Sequence, residues 1–305
     1  MPQQRAQHSE KTRQVFQPWR LSPNAGIPSQ SKRGELSLEY ADQDGKTVLT
    51  YSRFSHPWYV FSPLYLDQMG SATTFLTNPS GGLVGGDNLS LVANLEAHTH
   101  VLFTTPSATK IYRTQQHPVI QTIDITVGPH AILEWVPELT IPYAGSRFEQ
   151  TITVQLDTGA CLILWDALAA GRIAQGERWG FSHFENRIKI TLTDGKSLQE
   201  QYALAPTQDE HDVTLYKEWN YVGSLYIVSD KIPSPTWERI KDGLATVLEK
   251  TPNQILGGVS EPSVPGLAIK VVTRSAPNLN AVFEEMWGIV RMKLWGTALP
   301  TLRRY

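Results

Sequence analysis

Five acidic residues stand among apolar or glycine neighbours. Asp87 follows a double glycine, Glu134 and Glu138 bracket Trp135, Asp166 ends an apolar run, and Glu177 follows Gly176. An ionised carboxylate in such a setting is costly unless it is paired or solvated. Two readings follow. In the structural one, Arg113, Arg147, Arg172 or Arg178 neutralises the acids. In the functional one, spaced carboxylates line a watered passage and pass a divalent cation between weak oxygen sites. A thiolate cage would trap such an ion, and the chain has a single cysteine, Cys161, in the apolar run 160–164 that reads as a buried, inert thiol. His98-x-His100 could place two imidazoles on one strand face. With no Cys or Asp beside them to complete a metal shell, they read as solvent-exposed.

Catalytic and nucleotide motifs fail one by one. His-Glu-x-x-His, Gly-x-Ser-x-Gly and Cys-x-x-Cys are absent, and no Gly-x-Gly-x-x-Gly occurs. The two Gly-Lys-Thr/Ser runs, at Gly45 and Gly195, have Tyr40 and Ile190 where a phosphate-binding loop needs glycine. The glycine-rich loop 78–91 is of another kind: Gly81–Gly82 and Gly85–Gly86 flank Leu83–Val84, and Asp87 precedes an alternating run. Glycine pairs let one backbone pass close to another, or leave amides open to an anion. The segment 104–113 is rich in hydroxyls, with Lys110, Tyr112 and Arg113 at its end. Its hydroxyls read as satisfying a strand that bends at Pro106, with Lys110 and Arg113 as candidate partners for the acids.

These residues must be positioned by strands. From Glu35 on, the period is two: Leu36, Leu38 and Tyr40 alternate with polar residues, Asp42–Gly45 turns, and 48–54 returns as a hairpin. Strand-like runs follow at 59–66, 72–77, 89–95, 101–105, 119–127, 132–136, 148–156, 162–165, 187–192, 198–204, 221–228 and 266–273. No repeat of fixed length joins them. Helices are expected only near 235–250, opened by Ser234–Pro235, and near 278–296, capped by Asn278 or Asn280. The second carries an apolar stripe (Leu279, Val282, Phe283, Met286, Val290, Leu294) expected to pack on a sheet. The fold class is therefore mainly β, with a disordered tail over 1–34 and a single β-rich domain over 35–305.

Composition narrows the partners. A net charge of −2 with 18% charged residues gives no reason to expect nucleic acid or an anionic membrane. A chain with one cysteine, no apolar stretch of membrane-spanning length and no signal-like start is expected in the cytoplasm.

In order and spacing, four blocks following the glycine loop carry a resemblance. They are His100-Val-Leu-Phe-Thr-Thr-Pro-Ser-Ala-Thr-Lys-Ile-Tyr-Arg113, Leu133-Glu-Trp-Val-Pro-Glu-Leu-Thr-Ile-Pro142, Trp165-Asp166, and Gly171-Arg-Ile-Ala-Gln-Gly-Glu-Arg178. Together they resemble the UreD/UreH family of urease accessory proteins. The likeness is densest over 75–180 and extends loosely to the C-terminal helix. It implies a stacked, β-helix-like layering of strands with a small helical part. It also implies a non-catalytic maturation factor that helps place nickel in apo-urease, acting with UreF-like and UreG-like accessory proteins, the latter a GTPase. No cofactor is expected to bind tightly; Ni²⁺ would be transient cargo, and the acids matching the family's internal tunnel are Asp87, Glu138, Asp166 and Glu177. The alternative from another class is a β-rich polysaccharide hydrolase or lyase, on the strength of nine tryptophans and paired carboxylates.

Overall fold

The computed structural model describes residues 31–206, 218–250 and 254–302, so the tail expected at the N-terminus lies almost wholly outside the described residues. An opening hairpin, β1 (Arg33–Gln43) and β2 (Lys46–Phe54), is followed by a short β3 (Tyr59–Val60) and by β4 (Ala72–Thr77). The chain then winds through β5 (Asn88–Leu95), β6 (His100–Thr104), β7 (Thr109–Ile111), β8 (Val119–Val127), β9 (Ile132–Trp135) and β10 (Thr140–Pro142). It continues through β11 (Arg147–Leu156), β12 (Cys161–Ala169) and β13 (His183–Leu192). Strands β5, β8, β11 and β13 pair in parallel in one sheet, and β4, β6, β9 and β12 in a second. Short β7 and β10 pair on a third side. This is a β-solenoid. Its coils start at Asn88, Val119, Arg147 and His183, so they differ in length and leave no fixed repeat.

Further strands finish both sheets, all joined antiparallel except β1, which runs parallel to β5. In the first, β1 and β2 close one edge, and β14 (Ser197–Leu204) closes the other. In the second, β15 (Tyr221–Ser229), β17 (Gly266–Thr273) and β16 (Ile255–Ser260) extend from β12, with β3 at the far edge. Helices α1 (Ser234–Glu249) and α2 (Ala276–Trp295) cover the outer face of the second sheet. The pattern of burial follows from this. In the first sheet one face is wet, so β11 alternates, with Phe148, Ile152 and Val154 inward. In the second, both faces are covered, and β12 is buried along its whole length. Trp165 points outward from β12 and stacks on Phe283 of α2 at 4.3 Å, which joins sheet to helix. The expected stripe of α2 does pack on the sheet.

Several local expectations change. The run 59–66 forms only the two residues of β3 plus a bridge from Leu64 to Thr73, since Pro63 has no N–H to give a ladder. Helix α2 is capped not by an asparagine but by Ser275, whose side chain accepts the Asn278 amide. Helix α1 begins one residue earlier than the Ser-Pro signature suggests, with Pro233 at the cap. Strand β16, which contains Gly257–Gly258, is not among the runs expected from sequence.

The glycine loop packs against β7. Leu83 exchanges backbone hydrogen bonds with Lys110 and Tyr112 at 2.8 Å, and the Tyr112 hydroxyl donates to the Gly81 carbonyl at 3.0 Å. A Cβ on Gly82 would lie 2.7 Å from the Tyr112 ring and 2.9 Å from the Lys110 carbonyl, so close backbone approach is the reason for this glycine. Gly86 has φ of 88°. Gly86→Val is therefore expected to cost about 1–3 kcal/mol in strain. Urea unfolding and recovery of soluble protein should fall together; an unchanged midpoint would make the loop an ordinary exposed turn.

Candidate functional site

Two facing rows of polar side chains run across the two sheets. In the first sheet, Gln121, Gln150, Asn186 and Tyr202 sit side by side on β8, β11, β13 and β14. In the second, Asp166, Ser224 and Lys270 sit side by side on β12, β15 and β17. Asp166 ties the rows together. It accepts hydrogen bonds from Asn186 Nδ2 at 2.7 Å, Tyr202 Oη at 3.3 Å and Gln150 Nε2 at 3.4 Å.

Burial raises the pKa of Asp166, against the opposing pull of the Lys270 charge and of these donors. Burial, and then the Asp166 charge, push the Tyr202 phenol well above its usual range, so it remains a donor at neutral pH. Lys270 Nζ donates to Tyr226 Oη at 2.7 Å and Ser224 Oγ at 3.0 Å, and pairs with Glu200 at 2.8 Å.

A cavity opens on each side of this layer. The first, about 150 Å³, has the Gly82 loop, Lys110 and Glu138 among its walls, and Gln121, Gln150 and Asp166 at its inner end. The second, about 530 Å³, is bounded by Tyr202, Ser224, Lys270, Glu200 and Trp219. The cavities approach each other across the Asp166–Tyr202 hydrogen bond. The result is two cavities separated by a polar septum of oxygens and amides. Cys161 adds no thiolate: burial, then the nearby Glu134 charge, pushes its thiol up to about 12.

Of the four acids expected along a passage, two come together and two stand apart. Glu138 and Asp166 line the same cavity. Asp87 is buried elsewhere, accepting the backbone amides of Lys32 at 2.8 Å and Val84 at 2.9 Å, which pins the glycine loop to the start of β1. Glu177 forms a two-pronged pair with Arg172, whose hydrogen bonds hold its carboxyl below the usual range, and Arg172 stacks over Tyr143. Lys110 and Arg113 are exposed, and Asp87, Glu134, Asp166 and Glu177 find other partners. His98 and His100 do not share a face. His98 lies in a turn at φ of 63° and stacks on His130, whereas His100 is buried on β6.

His100 belongs to a second polar cluster, on the helix side of the second sheet. Its Nε2 lies 2.6 Å from Glu134 Oε1. Glu134 also accepts from Trp287 Nε1 at 2.5 Å and from Arg291 Nη1. The other prong of Arg291 reaches Asp67 at 2.5 Å. Glu134 and Arg291 are fully buried. Arg291 is not among the residues singled out from the sequence. The usable signal was its place one turn beyond Trp287, within the apolar stripe.

The comparisons agree with one another. The family described as UreD urease accessory protein matches residues 32–304. A urease accessory protein UreD of Lachnoclostridium phytofermentans is 29% identical over 273 residues, covering 89% of this chain and 98% of that protein. One from Haloarcula marismortui is 27% identical over 287 residues, covering 93% and 94%. One from Trichormus variabilis is 37% identical over 163 residues, covering 53% and 58%. A match along nearly the whole described chain, on a β-solenoid carrying the glycine loop and the 100–113 and 133–142 blocks, places this protein in the UreD family of urease accessory proteins.

Proposed function

We propose that this chain serves urease maturation by assisting the incorporation of nickel into apo-urease. It would act in the cytoplasm as a scaffold within a complex containing a GTPase and a further accessory protein, with the polar layer as a passage for the ion. The observation that carries the passage is the run of Glu138, Gln150, Asp166 and Tyr202 from one cavity to the other through an apolar core. Carboxylate, amide and hydroxyl oxygens hold Ni²⁺ weakly compared with thiolate or imidazole sets, which suits transfer over storage. Family membership favours assembly over polysaccharide cleavage. No helix among the described residues is long and apolar enough to cross a membrane.

Co-expression with urease and its other accessory proteins, with and without this chain, tests the proposal. Urease made without it is expected to be folded and assembled but nickel-poor and weakly ureolytic. Full activity at ordinary nickel supply would sink the reading.

A further inference from the structure

The second cavity has an occupant at its inner wall that a cation passage does not by itself require. Lys270 extends the Asp166–Ser224 row by one strand, so a fixed positive charge stands on the route a positive ion would take. Its ammonium is held by three oxygens: the Glu200 carboxylate at 2.8 Å, Tyr226 Oη at 2.7 Å and Ser224 Oγ at 3.0 Å. One anionic and two neutral oxygens around a compact cation form the kind of seat a hard or borderline divalent ion accepts weakly.

The lysine is not locked in. Its side chain is 46% exposed, and Glu200's is 31% exposed. An ion pair at that exposure contributes little to stability. Space to move into is also present. Gly258 lies directly across from Lys270 on β16, both line the second cavity, and a Cβ on Gly258 would meet nothing within 4 Å.

Resting on the passage reading above, we propose that Lys270 is a tethered plug. Its ammonium fills the Glu200–Ser224–Tyr226 seat, and a divalent cation takes that seat when the side chain swings into the cavity beside Gly258. Like charges at contact distance exclude double occupancy, so the seat holds either ammonium or metal. The exchange also reaches inward. Lys270 opposes the effect of burial on Asp166, and replacing one positive charge by two would draw that carboxyl further toward its anion. A route plugged in this way stays closed to stray cations until a metal, or a docking partner that moves the lysine, opens it.

The test uses the full-length chain and Ni²⁺ as probe, by equilibrium dialysis at fixed ionic strength. Lys270→Met keeps an unbranched chain of similar length and removes the charge. It is expected to bind Ni²⁺ tighter by on the order of tenfold, the scale on which an adjacent like charge moves an ionic equilibrium. Adding Glu200→Gln should cancel the gain. Equal affinity in wild type and a folded Lys270→Met overturns the plug, as does a gain that survives loss of Glu200. Should Lys270→Met not fold, Gly258→Leu serves instead. It is expected to leave unfolding unchanged while weakening Ni²⁺ binding and lowering urease nickel in co-expression, and undiminished binding and delivery overturn the proposal. The passage reading fails separately. If tightened binding in Lys270→Met accompanies unaltered urease nickel when Glu138 is made leucine, the seat stands and the conduit does not.

Discussion

Glu138→Leu is expected to leave the chain folded and complex-forming while urease matured beside it carries several-fold less nickel. Glu138 lines the first cavity and is only partly buried, so an apolar replacement costs the fold little. What it removes is a carboxylate from the cavity wall. Glu138→Ala should hurt less, because the space it leaves can still take water. Asp87→Ala is expected to behave differently. Its carboxylate accepts two backbone amides in a buried loop, and leaving such donors without partners costs about 1–3 kcal/mol each. Nickel delivery should then fall in step with soluble chain and recovered complex. Glu177→Ala breaks a partly exposed pair with Arg172, worth about 0–1 kcal/mol, and should move both readouts least. Thermal unfolding, recovery of the accessory complex and urease nickel content, measured for the four variants, separate these cases. If Glu138→Leu lowers nickel only in proportion to lost complex, the passage is wrong and the acids are structural.

The split between these acids shows how far the chain can be read before it is folded. Alternation located the strands of the first sheet because one face of that sheet is wet; Leu36, Leu38 and Tyr40 mark the dry side. The closed coil was not legible from periodicity. Its parallel partners, such as Gln150 and Asn186, are separated by a whole coil, and the coils differ in length. The same distance hid most of the site. Asp166 stood out because a carboxylate among apolar residues is costly, whereas Gln121, Gln150 and Asn186 each look like a single polar break in a strand. Only register places them in one line. Lys270 alternates with Ile269 and Val271 as any solvent-facing residue would, and nothing local announces the cavity beyond it. His100 was misjudged for a related reason: its partners, Glu134 and the α2 residues that bury it, come from distant parts of the chain.

That second cluster is where the largest loss of stability is expected. Arg291 sits fully buried on α2 with one prong on Glu134 of β9, the other on Asp67 in the loop before β4, and its Nε on the Ala298 carbonyl at 3.2 Å. It therefore fastens the last helix to the middle of the solenoid and to an early loop at once. Arg291→Met keeps most of the packing volume but leaves two buried carboxylates without their cation. Removing one partner of such an arrangement costs roughly 3–5 kcal/mol, a large share of the total stability of an ordinary domain. Arg291→Lys should be intermediate, because an ammonium can serve one carboxylate but cannot reproduce a planar fork reaching two. Glu134→Gln should also be milder than Arg291→Met, since the amide oxygen can still accept from Trp287.

Acid supplies an independent check. Burial pushes Asp67 up, but hydrogen bonds from Ser71, Arg291 and the Met69 amide outweigh it and hold its carboxyl below the usual value. A carboxyl depressed in the folded state adds stability above its unfolded pKa and loses it as pH falls through the folded one. Wild type should therefore shed this contribution on acidification below the ordinary aspartate range. Arg291→Met, having lost one of the interactions that depress Asp67, should show a shallower acid dependence from a lower starting stability. Urea midpoints at neutral pH and across the acid limb test both statements. A destabilisation under about 1 kcal/mol, the scale of an exposed pair, would mean that water or a neighbouring side chain replaces the guanidinium, and that α2 is held by its apolar stripe alone.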